Sequence, residues 1–293
     1  MGWDLAERFP GARAVFERAD EALGLSLSGI MWEGPETELT ATHNAQPAIL
    51  THSVAVHTVV ADRLGEVAMA AGHSLGEFSA HVVAGTIGFE DAVRAVRRRG
   101  ELMFRSGEER PGTMAAIIGL EDADLEAVCR DASSAAGGAC VPANFNAPGQ
   151  IVISGDAEAV ERAMELAKEA GAKRALPLNV SGAFHSPLME VAEQGLMDHL
   201  EAVSFSEPRC PVVSNVTAEP VTAAAEARRL LVEQLTSPVR WTASMRTMRE
   251  RGVERFVELG PGRVLAGLLK RIDRQAEVES LGTADQVQSF LEG

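Results

Sequence analysis

The segment that most restricts the fold is Gly72-His73-Ser74-Leu75-Gly76. It follows a short apolar run, Val67-Ala68-Met69-Ala70-Ala71, and precedes a long amphipathic stretch from Glu77 through Phe104 that we expect to break near Gly85 to Gly88. Strand, tight turn and helix in that order are the context that gives G-x-S-x-G its chemical meaning, and they call for an α/β fold. Glycines beside the serine let neighbouring backbones approach where side chains would block them. Such a turn points the serine hydroxyl outward, with the N-terminus of the following helix beneath the place where an oxyanion develops. The Leu75 N–H is the expected donor to that oxyanion.

The rest of the chain organises around this turn. Upstream, Ala6 to Ala22 and Gln46 to Leu64 read as helices, with Pro47 suited to a first helical turn. From Thr113 to Gly182 the pattern changes. Strand candidates at Met114 to Leu120, Ala139 to Asn144, Gln150 to Ser154 and Arg174 to Val180 alternate with helices at Asp122 to Ser133 and Ala157 to Ala170. That βαββαβ order is the ferredoxin-like unit. Helices resume at Pro187. Pro211 to Asn215 and Val253 to Leu259 read as strands, and the stretches around Ala223 to Leu235, Ser244 to Arg251 and Arg263 to Ile272 read as helices. The expected fold class is therefore α/β: a large domain with a short parallel sheet flanked by helices, formed by residues 1–112 and 183–293. The inserted ferredoxin-like subdomain is expected to cover residues 113–182.

Composition removes several function classes. A net charge of −15 over 293 residues argues against a broad nucleic-acid-binding surface. Cys129, Cys140 and Cys210 form no CxxC pair and leave an odd one over, so neither a disulfide framework nor a metal site is expected, and a reducing cytoplasm fits best. The first residues carry charge where a signal peptide needs an apolar core, and no apolar run approaches membrane-spanning length. Basic residues cluster at Arg94, Arg97, Arg98 and Arg99, at Lys173 and Arg174, and at Lys270, Arg271 and Arg274. Solvated helix faces and ends are the ordinary account of such clusters.

A serine needs a base to become a nucleophile. Of the seven histidines, His73 should point away from Ser74 because it is its neighbour on the turn, and His43, His52, His57, His81 and His199 sit in patterns without special neighbours. His185 lies in Ser181-Gly182-Ala183-Phe184-His185-Ser186-Pro187, where Ser186 reads as an N-cap and Pro187 as the first helical residue. A base on that loop can reach the turn from another element. On the helix after Ser74, Ala92, Val93, Val96, Gly100, Met103 and Phe104 make an apolar stripe with Arg99 along one edge and Arg97 along the other. A half-buried arginine there could grip a carboxylate with two parallel bonds, and helical geometry leaves the choice between the two open.

Gly72-His73-Ser74-Leu75-Gly76-Glu77, Arg97-Arg98-Arg99-Gly100 and Gly182-Ala183-Phe184-His185-Ser186 together resemble malonyl-CoA:acyl carrier protein transacylases. Thr113-Met114-Ala115-Ala116-Ile117-Ile118-Gly119-Leu120, Asn144-Phe145-Asn146-Ala147-Pro148-Gly149-Gln150 and Val257-Glu258-Leu259-Gly260-Pro261-Gly262 agree with the same family, in order along the chain. The resemblance implies a ping-pong malonyl transfer from malonyl-CoA to acyl carrier protein, with no cofactor, by a cytoplasmic monomer that binds neither nucleic acid nor membrane. It implies Ser74 as nucleophile, His185 as base and then acid, and Arg99 as the clamp on the free malonyl carboxylate. It further implies Gln46 as an acyl-pocket residue and the backbone carbonyl of Gln234 as the group orienting His185. Phe184 resembles the malonyl-selective form of its motif, so methylmalonyl should be a poor substrate.

Members of that family begin with an apolar strand and a Phe-Pro-Gly-Gln-Gly-Ser-Gln segment whose glutamine supplies a second oxyanion donor. Here Phe9-Pro10-Gly11 is followed by Ala12-Arg13 inside the first helix pattern, so the chain is expected to open after the place of that segment. Removing one such donor costs on the order of a hundredfold to a thousandfold in turnover. Two alternatives follow from these residues: an esterase or thioesterase that passes the acyl group to water, and a chain that binds CoA or carrier protein without catalysis.

Overall fold

The computed structural model describes residues 1–293. The chain opens with five helices: α1 (Trp3–Arg8), α2 (Pro10–Leu23), α3 (Leu27–Glu33), α4 (Glu36–Thr40) and α5 (Thr42–Leu64). The helix expected over Ala6 to Ala22 is two, because Phe9 leaves the helical conformation and Pro10, which has no N–H to offer a preceding turn, restarts it at the first helical position. In α5, Pro47 lies inside the helix rather than in its first turn, since the helix begins at Thr42. The missing N–H of Pro47 frees the carbonyl of His43, four residues earlier, and the Arg97 Nη1 donates to that carbonyl at 3.1 Å.

Next come β1 (Ala70–Ala71), α6 (Gly76–Val83) and α7 (Phe89–Glu109), with the expected break between the two helices. The apolar run from Val67 forms a strand only over its last two residues. Glu90 and Asp91 in the first turn of α7 complement its N-terminal partial charge. The buried stripe of α7 packs on α5 and on the later helix Glu190–Glu201, and Gly100 is required there: a Cβ would lie 2.6 Å from the Cα of His43. That close approach brings the N-terminal half of α5 against the middle of α7.

The strands and helices β2 (Thr113–Ile118), α8 (Asp122–Ala136), β3 (Cys140–Ala147), β4 (Gln150–Gly155), α9 (Ala157–Glu169) and β5 (Arg174–Pro177) follow. They form a four-stranded antiparallel sheet in the order β3-β4-β2-β5, the ferredoxin-like arrangement. One face carries α8 and α9 around Leu125, Ile117, Ile151 and Ile153. The last strand ends at Pro177, short of the expected Val180.

After a single 3₁₀ turn at Pro187–Met189 come α10 (Glu190–Glu201), β6 (Val212–Val213), β7 (Pro220–Val221), α11 (Ala224–Glu233), α12 (Trp241–Glu250), β8 (Arg255–Leu259), α13 (Val264–Ile272), β9 (Glu277–Leu281) and α14 (Ala284–Glu292). The parallel pairing expected of the large domain occurs twice, β1 with β6 and β8 with β9, and β7 adds to β6 antiparallel. The register Ala70↔Val212 and Ala71↔Val213 sets Gly72 beside Ser214 and Asn215. The insert joins the large domain through β3, where Phe145 N–H donates to the Val239 carbonyl at 2.9 Å and Val239 N–H to the Ala143 carbonyl at 2.8 Å. That ladder anchors the segment just after Gln234.

Ile153 is fully buried beneath α8 and α9. Ile153→Ala should lower unfolding free energy by about 2–5 kcal/mol, read as a reduced midpoint in chemical denaturation. A change within about 0.5 kcal/mol would contradict its place in that core.

Candidate active site

Ser74 sits between β1 and α6 with φ 52°, a left-handed conformation for a residue with a side chain. Holding it there costs on the order of 1–3 kcal/mol, which the surroundings must supply. Asn215 supplies much of the restraint. Its Oδ1 accepts the Ser74 N–H at 2.7 Å and its Nδ2 donates to the Gly72 carbonyl at 2.8 Å, so a side chain continues the β1–β6 ladder around the turn. Gly72 has no alternative, because a Cβ would fall 1.9 Å from the Gly76 carbonyl oxygen. Gly76 differs from the sequence expectation: a Cβ there meets nothing within 4 Å, so its glycine is not needed for space. The Leu75 N–H, at the start of α6, has no protein acceptor.

The structure brings His185 to Ser74. Ser74 Oγ donates to His185 Nε2 at 2.8 Å, and His185 Nδ1 donates to the Gln234 backbone carbonyl at 2.9 Å. A carbonyl only accepts, so Nδ1 carries the ring proton and Nε2 presents its lone pair to the serine. His185 also has a left-handed backbone, φ 56°, and Ser186 caps the 3₁₀ turn after it by accepting from Leu188 N–H. Burial, reinforced by the Arg99 charge, lowers the His185 pKa to about 3, which keeps the imidazole neutral and able to accept a proton. His73 points away as expected and hydrogen-bonds the side chain of Asn146 at 2.7 Å.

The two edge arginines of α7 separate cleanly. Arg97 bonds Glu101 at 2.8 Å, the His43 carbonyl and the Asn44 side chain, outside the serine pocket. Arg99 is 1% exposed, buried where partial exposure was expected. Its Nη1 donates to Gln46 Oε1 at 2.6 Å, and its Nη2 donates to Ser74 Oγ at 3.0 Å and to Gln234 Oε1 at 2.9 Å. No carboxylate is bonded to this guanidinium. Burial lowers its pKa to about 10, with Glu77 pulling the other way, so it remains a cation at neutral pH.

Ser74, Leu75, Arg99, Gln46, Phe184 and His185 all line one open cavity of about 720 Å³. A wall of that cavity is apolar, from Met103, Phe104, Val180 and Phe184. A carboxylate, a carbonyl carbon and a thiol leaving group can therefore meet a cation, a nucleophile with its base, and an unfilled amide donor in one place. No group of three or more His, Cys, Asp or Glu side chains is gathered as a metal site would need, and no helix is long and apolar enough to cross a membrane.

Glu77 and Asn215 escape a reading of the sequence. A glutamate in the first turn of a helix ordinarily complements the helix dipole at the surface, whereas Glu77 is fully buried and accepts from Gln234 Nε2 at 2.6 Å and from Asn215 N–H at 3.1 Å. Its partners lie well over a hundred positions away, so only the laying of β6 beside β1 reveals them.

The family model described as "Acyl transferase domain" matches residues 1–289. The chain is 45% identical over 292 residues to the malonyl CoA-acyl carrier protein transacylase of Bacillus subtilis (strain 168), covering 100% of this chain and 92% of that protein. It is 46% identical over 290 residues to the protein of the same name from Escherichia coli (strain K12), covering 99% and 93%. Among solved structures it is similar to the holo PlMCAT:AntF complex, a type II PKS acyl-carrier protein with its malonyl-transacylase, at TM-score 0.95 and 43% identity over 100% of this chain and 94% of that one. It is likewise similar to an acyl carrier protein S-malonyltransferase from Vibrio cholerae, at TM-score 0.93 and 43% identity over 98% and 93%.

The glycines predict a contrast. Gly72→Ala should abolish acylation of Ser74 or the fold itself, whereas Gly76→Ala should change thermal stability little and leave acylation within a few-fold, both read by thermal melts and by mass spectrometry after exposure to substrate. Equal damage from both would contradict the geometry of the turn.

Proposed function

The chain belongs to the acyl transferase domain family, and from that premise we propose how its residues carry out malonyl transfer. The enzyme moves a malonyl group from malonyl-CoA to the thiol of an acyl carrier protein, in fatty-acid or polyketide synthesis, through a malonyl ester on serine. Ser74 Oγ attacks the thioester carbonyl while His185 Nε2 takes its proton. The carbonyl oxygen becomes an oxyanion facing the Leu75 N–H. As the C–S bond breaks, His185 returns the proton to the departing sulfur of CoA. In the second half, His185 takes the proton of the carrier thiol, whose sulfur attacks the serine ester, and the proton ends on Ser74 Oγ.

The observation that carries this reading is Arg99, a buried cation that touches the nucleophile and borders the cavity without a carboxylate of its own. The free carboxylate of malonyl is the matching anion, and its two oxygens suit the guanidinium fork. Gln46 and the Gln234 side chain hold that fork in place, and the Gln234 carbonyl holds His185. Phe184, flanking His185 in the cavity wall, crowds a substituent on the malonyl α-carbon. We read residues 113–182 as a subdomain inserted between 1–112 and 183–293, a division supported by its own core around Leu125 and Ile153. In this reading the protein works as a cytoplasmic monomer, uses malonyl-CoA as substrate with no separate cofactor, and does not act on nucleic acid. Its buried free thiols and net charge of −15 support the compartment and the last point.

Arg99→Ala tests the clamp. Removing one partner of a buried charge pair costs about 2–5 kcal/mol, so acylation of Ser74 by malonyl-CoA should fall by roughly 30-fold or more in kcat/KM. Acylation by acetyl-CoA, which has no carboxylate, should change far less. Equal losses for both substrates, measured by stopped-time mass spectrometry, would overturn the assignment.

A further inference from the structure

Arg99 presents a problem of charge. An isolated cation taken out of water is costly unless something of opposite sign compensates it. The three acceptors bonded to Arg99, on Gln46, Gln234 and Ser74, are all neutral, and its Nε has no partner at all. The acid whose charge acts on it is Glu77. The link runs through the Gln234 side-chain amide: Arg99 Nη2 donates to Gln234 Oε1 at 2.9 Å, and Gln234 Nε2 donates to Glu77 Oε2 at 2.6 Å. This amide has only one workable orientation, because Arg99 can only donate, whereas Glu77 Oε2, the Ser74 carbonyl and Asn215 Oδ1 on the other side all accept from Nε2.

We propose that Glu77 is the counter-charge of Arg99 in the unloaded enzyme, and that it takes up a proton from the medium when the malonyl carboxylate seats on Arg99. The inference rests on the reading that Arg99 holds that carboxylate. With malonyl absent, the Arg99–Gln234–Glu77 chain carries one positive and one negative charge and sums to zero. With malonyl bound, an ionised Glu77 would leave a buried net negative charge, and protonation restores neutrality. Glu77 has a place for that proton, since Oε1 is buried without a hydrogen-bond partner while Oε2 accepts two bonds.

The balance of forces on Glu77 supports the same exchange. Burial pushes its carboxyl up to about 7, against hydrogen bonds from Gln234, the Asn215 amide and the Ser214 side chain and the attraction of Arg99. A second carboxylate on Arg99 cancels that attraction and moves the group higher still. Arg99 on α7 is the charged group that acts on it; His81 lies one turn along α6, and His185 and His73 stand in the adjoining site. Burial lowers these three imidazoles, His81 to about 4 and His185 to about 3. Because the loaded form has the higher pKa, malonyl affinity should be greatest at low pH and fall as pH rises between the unloaded and loaded values, about tenfold for each unit that separates them.

Ser74→Ala enzyme removes the chemical step, so binding alone can be followed by titration calorimetry near neutral pH in two buffers of different ionisation enthalpy. Malonyl-CoA should bind more tightly than acetyl-CoA and with net uptake of a fraction of a proton, while acetyl-CoA should take up none. The uptake should vanish in Ser74→Ala/Glu77→Gln. Equal uptake for the two ligands, no uptake with malonyl-CoA, or uptake that persists in the double variant would overturn the proposal. The difference between the two ligands on the Ser74→Ala enzyme decides it even if the double variant misfolds. Malonyl-CoA binding no more tightly than acetyl-CoA would instead bring down the Arg99 clamp itself, and this proposal with it.

Discussion

A guanidinium held out of water beside a serine hydroxyl is the interaction on which the rest of this structure depends. Arg99 is bonded to Ser74, Gln46 and Gln234, and those three residues come from the turn between β1 and α6, from α5 and from the end of α11. One cation thus ties together three separate parts of the large domain and sets Ser74 and Gln46 at one cavity. A buried charge tolerates little error in its surroundings, because each misplaced acceptor exposes a desolvation penalty of several kcal/mol. The precision of the site and the cost of its charge are the same fact seen from two sides.

Around that cation the backbone is constrained where the chemistry needs it. Ser74 and His185 both occupy left-handed conformations, and each is held by hydrogen bonds: the Asn215 side chain for the serine, the Gln234 backbone carbonyl and the cap of the neighbouring Ser186 for the histidine. Gln234 is the busiest residue of the group. Its carbonyl fixes the tautomer of His185, its side-chain oxygen faces Arg99, and its side-chain nitrogen faces Glu77. The ferredoxin-like insert contributes at a distance, since the bridge from β3 to Val239 anchors the segment that follows Gln234, and Asn146 holds His73 away from Ser74.

Much of this was legible in the sequence, and the exceptions have physical causes. The turn at Gly72 to Gly76 and the βαββαβ insert are local patterns, set by periodicity and by residues with unusual backbone freedom, so they could be read directly. The start of α5 could not, because Pro47 is tolerated inside a helix when Arg97 satisfies the carbonyl it orphans. Helical geometry left Arg97 and Arg99 equivalent, since both border the apolar stripe of α7; the family resemblance named Arg99, and the structure sets Arg99 at the cavity while Arg97 bonds Glu101 and the His43 carbonyl. β9 and α14, which the pattern did not announce, are short and depend on β8 and on Thr283 as a capping residue. Glu77 is in the first turn of α6, and its burial follows only from β6 placing Asn215 against it.

In the proposed mechanism Ser74 carries the malonyl group between two thiols. The most direct measurement is mass spectrometry of the protein after mixing with malonyl-CoA, with peptide mapping of the adduct and then addition of holo acyl carrier protein. This mechanism predicts one malonyl ester on Ser74 that survives in water and disappears when the carrier thiol is added, with malonyl appearing on the carrier. An adduct on another residue, or one that water removes as fast as the carrier does, would contradict it.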